Sequence, residues 1–144
     1  MPQVIGERIL NHSVEKVFAC AIGIEDYPRF LSYIQKVEIL SRSEDRMAAR
    51  FFVGAGKLVF SYDCEIHMQE NARTRVMTEE DIFSEFHAEC RYEKLDENRC
   101  KIIYVLDCKF ANRALEFLAR AVLPYNTKVT INAFEKRLAE MDKA

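Results

Sequence analysis

The hydrophobic period of this chain changes twice, and that double change restricts its fold more than any other feature. From Val14 to Ile22 the apolar residues Val14, Val17, Phe18, Ala21 and Ile22 form one helical stripe. The period then falls to 2 and stays there for roughly seventy residues, the mark of consecutive antiparallel strands. Met47, Ala49, Phe51 and Val53 share one face, as do Phe60, Tyr62, Cys64, Ile66 and Met68. The same alternation recurs in Phe86, Ala88, Cys90 and Tyr92, and again in Cys100, Ile102, Tyr104, Leu106, Cys108 and Phe110. From Asn112 onward the period is helical again, with Leu115, Leu118, Val122 and Tyr125 in one stripe and Ile131, Phe134, Leu138 and Met141 in another. The first stripe runs around Pro124, which is expected to kink or interrupt the helix.

Punctuation agrees with this division. The first ten residues alternate as a strand, and Ser13 is placed to cap the helix after it. Lys16 occupies the position where a glutamate or glutamine would complete a capping box. Gly23 ends the helix, and Asp26 with Pro28 predicts a second, short helix carrying Phe30 and Leu31. The segment LDENR turns the last two strands, and Asn112 is a good N-cap for the final helix.

Strand, two short helices, a long meander and a long helix make an α+β order. One antiparallel sheet with an apolar face must cover that face, and the C-terminal helix is the long element able to do so. The expected fold is a curved antiparallel β-sheet wrapped around a long C-terminal helix, with two short helices after the first strand. A bent sheet and a broken helix need not touch along their whole length. A cavity is therefore expected between them, lined by Phe51, Phe60, Tyr62, Phe86, Tyr92, Tyr104, Leu118 and Val122.

The totals bound the function classes. A chain of 144 residues, 49% hydrophobic, suits one domain over residues 1–144. A formal net charge of −2 supplies no global basic field for DNA. Arg73, Arg75, Arg91 and Arg99 with Lys94 and Lys101 make a modest basic patch, diluted by Glu79, Glu80, Glu89 and Glu93. Cys20, Cys64, Cys90, Cys100 and Cys108 contain no C-x-x-C pair and fall in apolar-periodic segments, which suits a reducing cytoplasm and packing roles. No leader pattern and no membrane-spanning apolar run is visible, so a cytoplasmic, unexported protein is expected. His12, His67 and His87 are isolated, and no metal site is expected. Asp63, Glu65, Glu85 and Glu89 fall out of phase with the apolar residues, which places them on a solvated face and not in an acid/base pair. No nucleophile with an orienting partner is visible, so no enzyme is expected.

The stretch FFVGAGKLVFSY, residues 51–62, leads from strand to strand, and no G-K-[ST] follows. That excludes a phosphate-binding loop, which runs into a helix. Two readings stay open. One is a tight turn using glycine at positive φ. The other is an apolar lip in which Phe52, Val53, Leu58 and Val59 enter a bilayer while Lys57 meets headgroups.

The segments SVEKVFACAIGIEDYPRFL (13–31), FSEFHAECRYEKL (83–95), CKIIYVLDCKFANRAL (100–115) and NAF (132–134), in this order and spacing, resemble the coenzyme Q-binding and polyketide cyclase-like branch of the START-type helix-grip superfamily. That branch includes ribosome association toxins of the RatA type. The likeness runs from Met1 to about Met141. A tryptophan usual in the penultimate strand is replaced by Cys90, on the cavity-facing side. The resemblance implies a protein that binds ubiquinone or another prenylated quinone in its cavity, without chemistry and without a required cofactor, in support of respiratory electron transport. Phe30, from YPRFL, and Cys90 join the expected ligand-binding residues on this basis. It also implies a peripheral contact with the inner membrane. The alternatives within the superfamily are a ribosome-binding regulator of translation and a polyketide cyclase or dehydratase. A cyclase needs polar groups to orient a polyketone, and the inward positions here are almost all apolar.

Overall fold

The computed structural model describes residues 3–122 and 127–141. Its elements are β1 (Gln3–Leu10), α1 (Val14–Ile22), a 3-10 helix (Ile24–Arg29), β2 (Ile34–Arg42), β3 (Arg46–Ala55), β4 (Leu58–Gln69), β5 (Arg73–Met77), β6 (Phe83–Asp96), β7 (Arg99–Phe110), α2 (Arg113–Val122) and α3 (Thr127–Met141). The strands form one antiparallel sheet in the order β1-β7-β6-β5-β4-β3-β2. The meander and its order of elements are those expected from the alternation.

Local chemistry sets the helix ends. The Lys16 N–H donates to Ser13 Oγ at 3.2 Å, so Ser13 caps α1. With no carboxylate at its position, Lys16 reaches elsewhere: its Nζ donates to the Leu138 carbonyl at 2.8 Å and ties α1 to α3. The Gly23 N–H closes α1 on the Ala19 carbonyl. The second short helix begins earlier than Asp26 and is of 3-10 type, a correction to the sequence reading. The Asp26 N–H already donates to the Gly23 carbonyl, and Ile24, only 2% exposed, anchors the start in the core. Asn112 Oδ1 accepts the Leu115 N–H at 2.9 Å and caps α2. Pro124 and Tyr125 lie outside the described residues, with helix on both sides of them.

The β3–β4 connection is a two-residue turn, Gly56 and Lys57, between the paired residues Ala55 and Leu58. Gly56 has φ +58° and Gly54 φ +146°. A Cβ on Gly54 would fall 1.9 Å from the Leu58 carbonyl oxygen, whereas one on Gly56 would meet nothing within 4 Å. Glycine is needed at residue 54 for close approach, and at 56 for backbone shape alone.

The core is divided. One cluster gathers Leu10, Val14, Val17, Phe18, Tyr92, Cys100, Ile102 and Leu138. A second gathers Ile24, Leu31, Ile34, Met47, Ala49, Phe51, Val53, Cys64 and Ile66. Phe134 on α3 packs against both. In the stretch between them the inner sheet face keeps accessible surface: Phe60, Tyr62, Phe86, Ala88, Cys90, Tyr104 and Leu106 are only partly buried although they point inward.

Candidate functional site

That residual surface faces a cavity of about 420 Å³ between the sheet, α1, the 3-10 helix and α3. Among the expected ligand-binding residues, Phe51, Phe60, Tyr62, Phe86, Cys90, Tyr92 and Tyr104 line it. Phe30 does not border it. Its ring lies behind the wall, edge-on to Tyr27 at 5.7 Å and to Phe134 at 5.0 Å, because the 3-10 geometry turns Tyr27 toward the cavity in its place. Leu118 also stands away from the lining, and the Val122 side chain lies outside those described.

Sequence reasoning missed several wall residues. Phe83 is out of phase with Phe86 along a strand of period 2, yet both line the cavity, because the β6–β7 register shifts between Phe83 and Glu85. Thr130 was hidden by being polar, although it stands four residues before Phe134 on α3. Tyr27 was legible as an aromatic residue within YPRFL, but nothing in that segment marked which ring would face in.

One end of the wall is an aromatic lattice. Tyr62 stacks on Phe51 with centroids 5.7 Å apart and planes 20° apart, and meets Phe83 edge-on at 5.3 Å. Phe110 closes the lattice, 5.1 Å from Phe83 and 6.1 Å from Phe60. Such pairs add to the area they bury and hold each ring in place.

The polar atoms of the wall are few and are mostly phenols. The Tyr27 hydroxyl donates to the Ala21 carbonyl. Tyr33 and Thr130 Oγ1 share a hydrogen bond of 2.8 Å, and Tyr92 and Thr74 Oγ1 one of 2.9 Å. The Tyr104 ring lies over Gly6 on β1, where an added Cβ would come within 2.4 Å of the phenol oxygen. Tyr62 makes no hydrogen bond among the described residues. Burial pushes the phenols of Tyr27, Tyr33, Tyr62 and Tyr92 above their ordinary range, so all four are protonated at neutral pH. Burial likewise pushes the Cys64 thiol up to about 12, and those of Cys90 and Cys108 up to about 11. These thiols are poor nucleophiles.

Glu89 corrects the expectation of a solvated carboxylate. It does lie on the outer face, but its side chain is 7% exposed, held by Arg73 Nε and Arg91 Nε at 2.9 Å each. Glu89 is the one charged residue bordering the cavity among the described residues, and its carboxylate is bound by the two arginines. Asp63 pairs with Arg50 at 2.6 Å, and Glu65 with His67 at 2.5 Å. Among the described residues no group of three His, Cys, Asp or Glu is placed to hold a metal.

The hairpin tip separates into two parts. Leu58 is 54% exposed, and Val59 and Lys57 are exposed beside it. Val53 is buried in the second core cluster and takes no part in a lip, because it shares the inner phase of Phe51. Phe52 is half-buried on the other face, with the Lys36 ammonium 5.5 Å above its ring. On α2, Phe117 is 78% exposed. No helix among the described residues is long and apolar enough to cross a membrane.

Residues 10–135 match the family described as polyketide cyclase / dehydrase and lipid transport. The chain is 21% identical over 144 residues to the ribosome association toxin RatA of Escherichia coli (strain K12), covering all of this chain and 91% of the toxin. It is 27% identical over 141 residues to the mitochondrial coenzyme Q-binding protein COQ10 of Dictyostelium discoideum, covering 92% of this chain and 66% of that protein. Its fold is similar to that of the Zhui aromatase/cyclase from Streptomyces sp. R1128, with a TM-score of 0.77 and 15% identity over 96% of this chain and 93% of that one. At that identity the likeness concerns the fold alone.

Proposed function

The chain belongs to the polyketide cyclase / dehydrase and lipid transport family, and from that premise we propose that residues 1–144 act as one ligand-carrying domain. The ligand is a lipophilic quinone, ubiquinone or another prenylated quinone, held without chemistry in support of respiratory electron transport. One observation carries the reading: a cavity of about 420 Å³ whose wall is aromatic and aliphatic, with phenols as its main polar groups. That volume lies in the range of small-molecule pockets. At ~0.8 kcal/mol per buried methylene-sized group, one five-carbon isoprene unit contributes about 4 kcal/mol before ordering costs. A head group and a few such units reach useful affinity with no charged anchor. The likeness to a protein named for coenzyme Q binding supports the same ligand class.

A carrier fits this wall better than a cyclase does. Proton abstraction needs a base near its working pH, and burial shifts the phenols of Tyr27, Tyr33, Tyr62 and Tyr92 and the thiols of Cys20, Cys64, Cys90 and Cys108 the other way. The full-length likeness to RatA favours ribosome association as a second reading. Against it, Arg42, Arg50, Arg73, Arg91 and Arg99 are each engaged by a carboxylate, which thins the field available to RNA. In the carrier reading the protein works in the cytoplasm at the inner face of a membrane. Phe52, Lys57 and Leu58 then form the contact through which the ligand exchanges.

The test is transfer of ubiquinone from quinone-loaded liposomes to the protein, with Ala88→Phe as the blocked control. Ala88 is a half-buried wall residue facing the cavity. Uptake by the wild type and none by the variant supports the reading; no uptake by either defeats it and leaves ribosome co-sedimentation to decide the alternative.

A further inference from the structure

Two phenols of the cavity wall, those of Tyr62 and Tyr104, stand apart from its other hydroxyls. Tyr27, Tyr33 and Tyr92 each have a protein partner for the hydroxyl, whereas Tyr62 and Tyr104 have none among the described residues; the Tyr104 oxygen leans over Gly6 on β1, where an added Cβ would come within 2.4 Å of it, and Tyr62 stands in the aromatic lattice. Nor is its oxygen sealed away. Among the described residues the sealed side-chain polar atoms without a partner are Arg75 Nε and Asp107 Oδ1. Tyr62 is a half-buried residue that lines the cavity, so the accessible surface it retains opens there. A hydroxyl facing an apolar space without a partner is a donor waiting for an acceptor.

The ring is held where it stands. Phe51 stacks on one side of it, Phe83 meets it edge-on and Phe86 lies 6.3 Å away. The direction of the hydroxyl is set before a ligand arrives, so little ordering opposes a hydrogen bond to it. The bonded pairs Tyr33/Thr130 and Tyr92/Thr74 each use one hydroxyl hydrogen and keep the other, so the wall offers donors in excess. Glu89 is the one acidic residue on the wall among the described residues, and its carboxylate is held on the outer side by Arg73 and Arg91.

We propose that Tyr62 is the specificity-determining donor of the cavity: its O–H donates to a carbonyl oxygen of an uncharged, conjugated ketone whose remaining surface is apolar. This rests on the carrier reading and deepens it by naming the ligand atom that is recognised. A pure hydrocarbon would fill the same space and leave the hydroxyl unpaired.

The experiment compares Tyr62→Phe with the wild type for two probes, a decyl-substituted benzoquinone and decylbenzene, by equilibrium titration. The expected result is about three- to tenfold weaker binding of the quinone to the variant, the effect of one net hydrogen bond, with decylbenzene binding unchanged. Infrared difference spectra should show the carbonyl stretch of the bound quinone lowered in the wild type and not in the variant, a signature that altered packing alone would not give. Equal weakening of both probes, or tight quinone binding that the variant leaves unchanged, overturns the role of Tyr62 while the carrier reading stands. A wild type that binds decylbenzene but not the quinone overturns both the donor and the quinone as ligand. Binding of neither probe overturns the carrier reading and the donor with it.

Discussion

The hydroxyls of Tyr33, in the loop before β2, and Thr130, on α3, meet at 2.8 Å across 97 residues of sequence. Both border the cavity, so one hydrogen bond joins the sheet side of the chamber to the helix that covers it. Tyr33→Phe removes the bond and keeps the ring. The variant should unfold about 1 kcal/mol more easily in urea, with an unchanged slope.

The two glycines of the β3–β4 hairpin should respond unequally. Gly54→Ala places a Cβ against the Leu58 carbonyl at positive φ, and a loss above about 2 kcal/mol is expected. Gly56→Ala has open space around its Cβ and should cost about 1 kcal/mol, from backbone conformation alone. Chemical denaturation of the pair checks the order, which reverses if the turn and not the close approach limits the hairpin.

Glu89 should shape the acid limb of stability. Burial raises its pKa, but the bonds from Arg73 and Arg91 outweigh this, and the net shift is below the ordinary 4.5. A carboxylate lowered in the folded state stabilises above its unfolded pKa and loses that contribution as pH falls through the folded value. The wild-type melting temperature should therefore begin to fall near pH 4.5 and continue below it. Glu89→Gln should melt lower at pH 7, with Arg73 and Arg91 left facing each other, and should show a flatter acid limb. Thermal scans between pH 3 and 7 read both effects.

Leu58 at the hairpin tip should contribute to membrane contact if the ligand exchanges there. Leu58→Asp replaces an exposed apolar side chain with a charge, at little cost to the fold. Liposome co-sedimentation should fall several-fold relative to the wild type, and an unchanged value would remove the tip from the exchange route.

Much of this molecule was legible because the sheet buries one face only. Met47, Ala49, Phe51 and Val53 alternate cleanly in sequence and are buried together. Residues that depend on a local break in period were not legible. Phe83 reaches the cavity through a register shift, and Phe30 loses its place to Tyr27 because the short helix is of 3-10 type and starts early. Glu89 was read as solvated because alternation tells which face a residue takes and nothing about the arginines that close over it. A cavity between sheet and helix was legible from the order of elements, but its extent depends on two core clusters standing apart while Phe134 touches both, a distance that no pattern within one element encodes.

The most direct measurement is mass spectrometry of the organic extract from protein purified without detergent, wild type beside Ala88→Phe. The account predicts a stoichiometric prenylated quinone in the wild type that is missing from the variant. An empty wild-type extract, still empty after incubation with quinone-loaded liposomes, would contradict it.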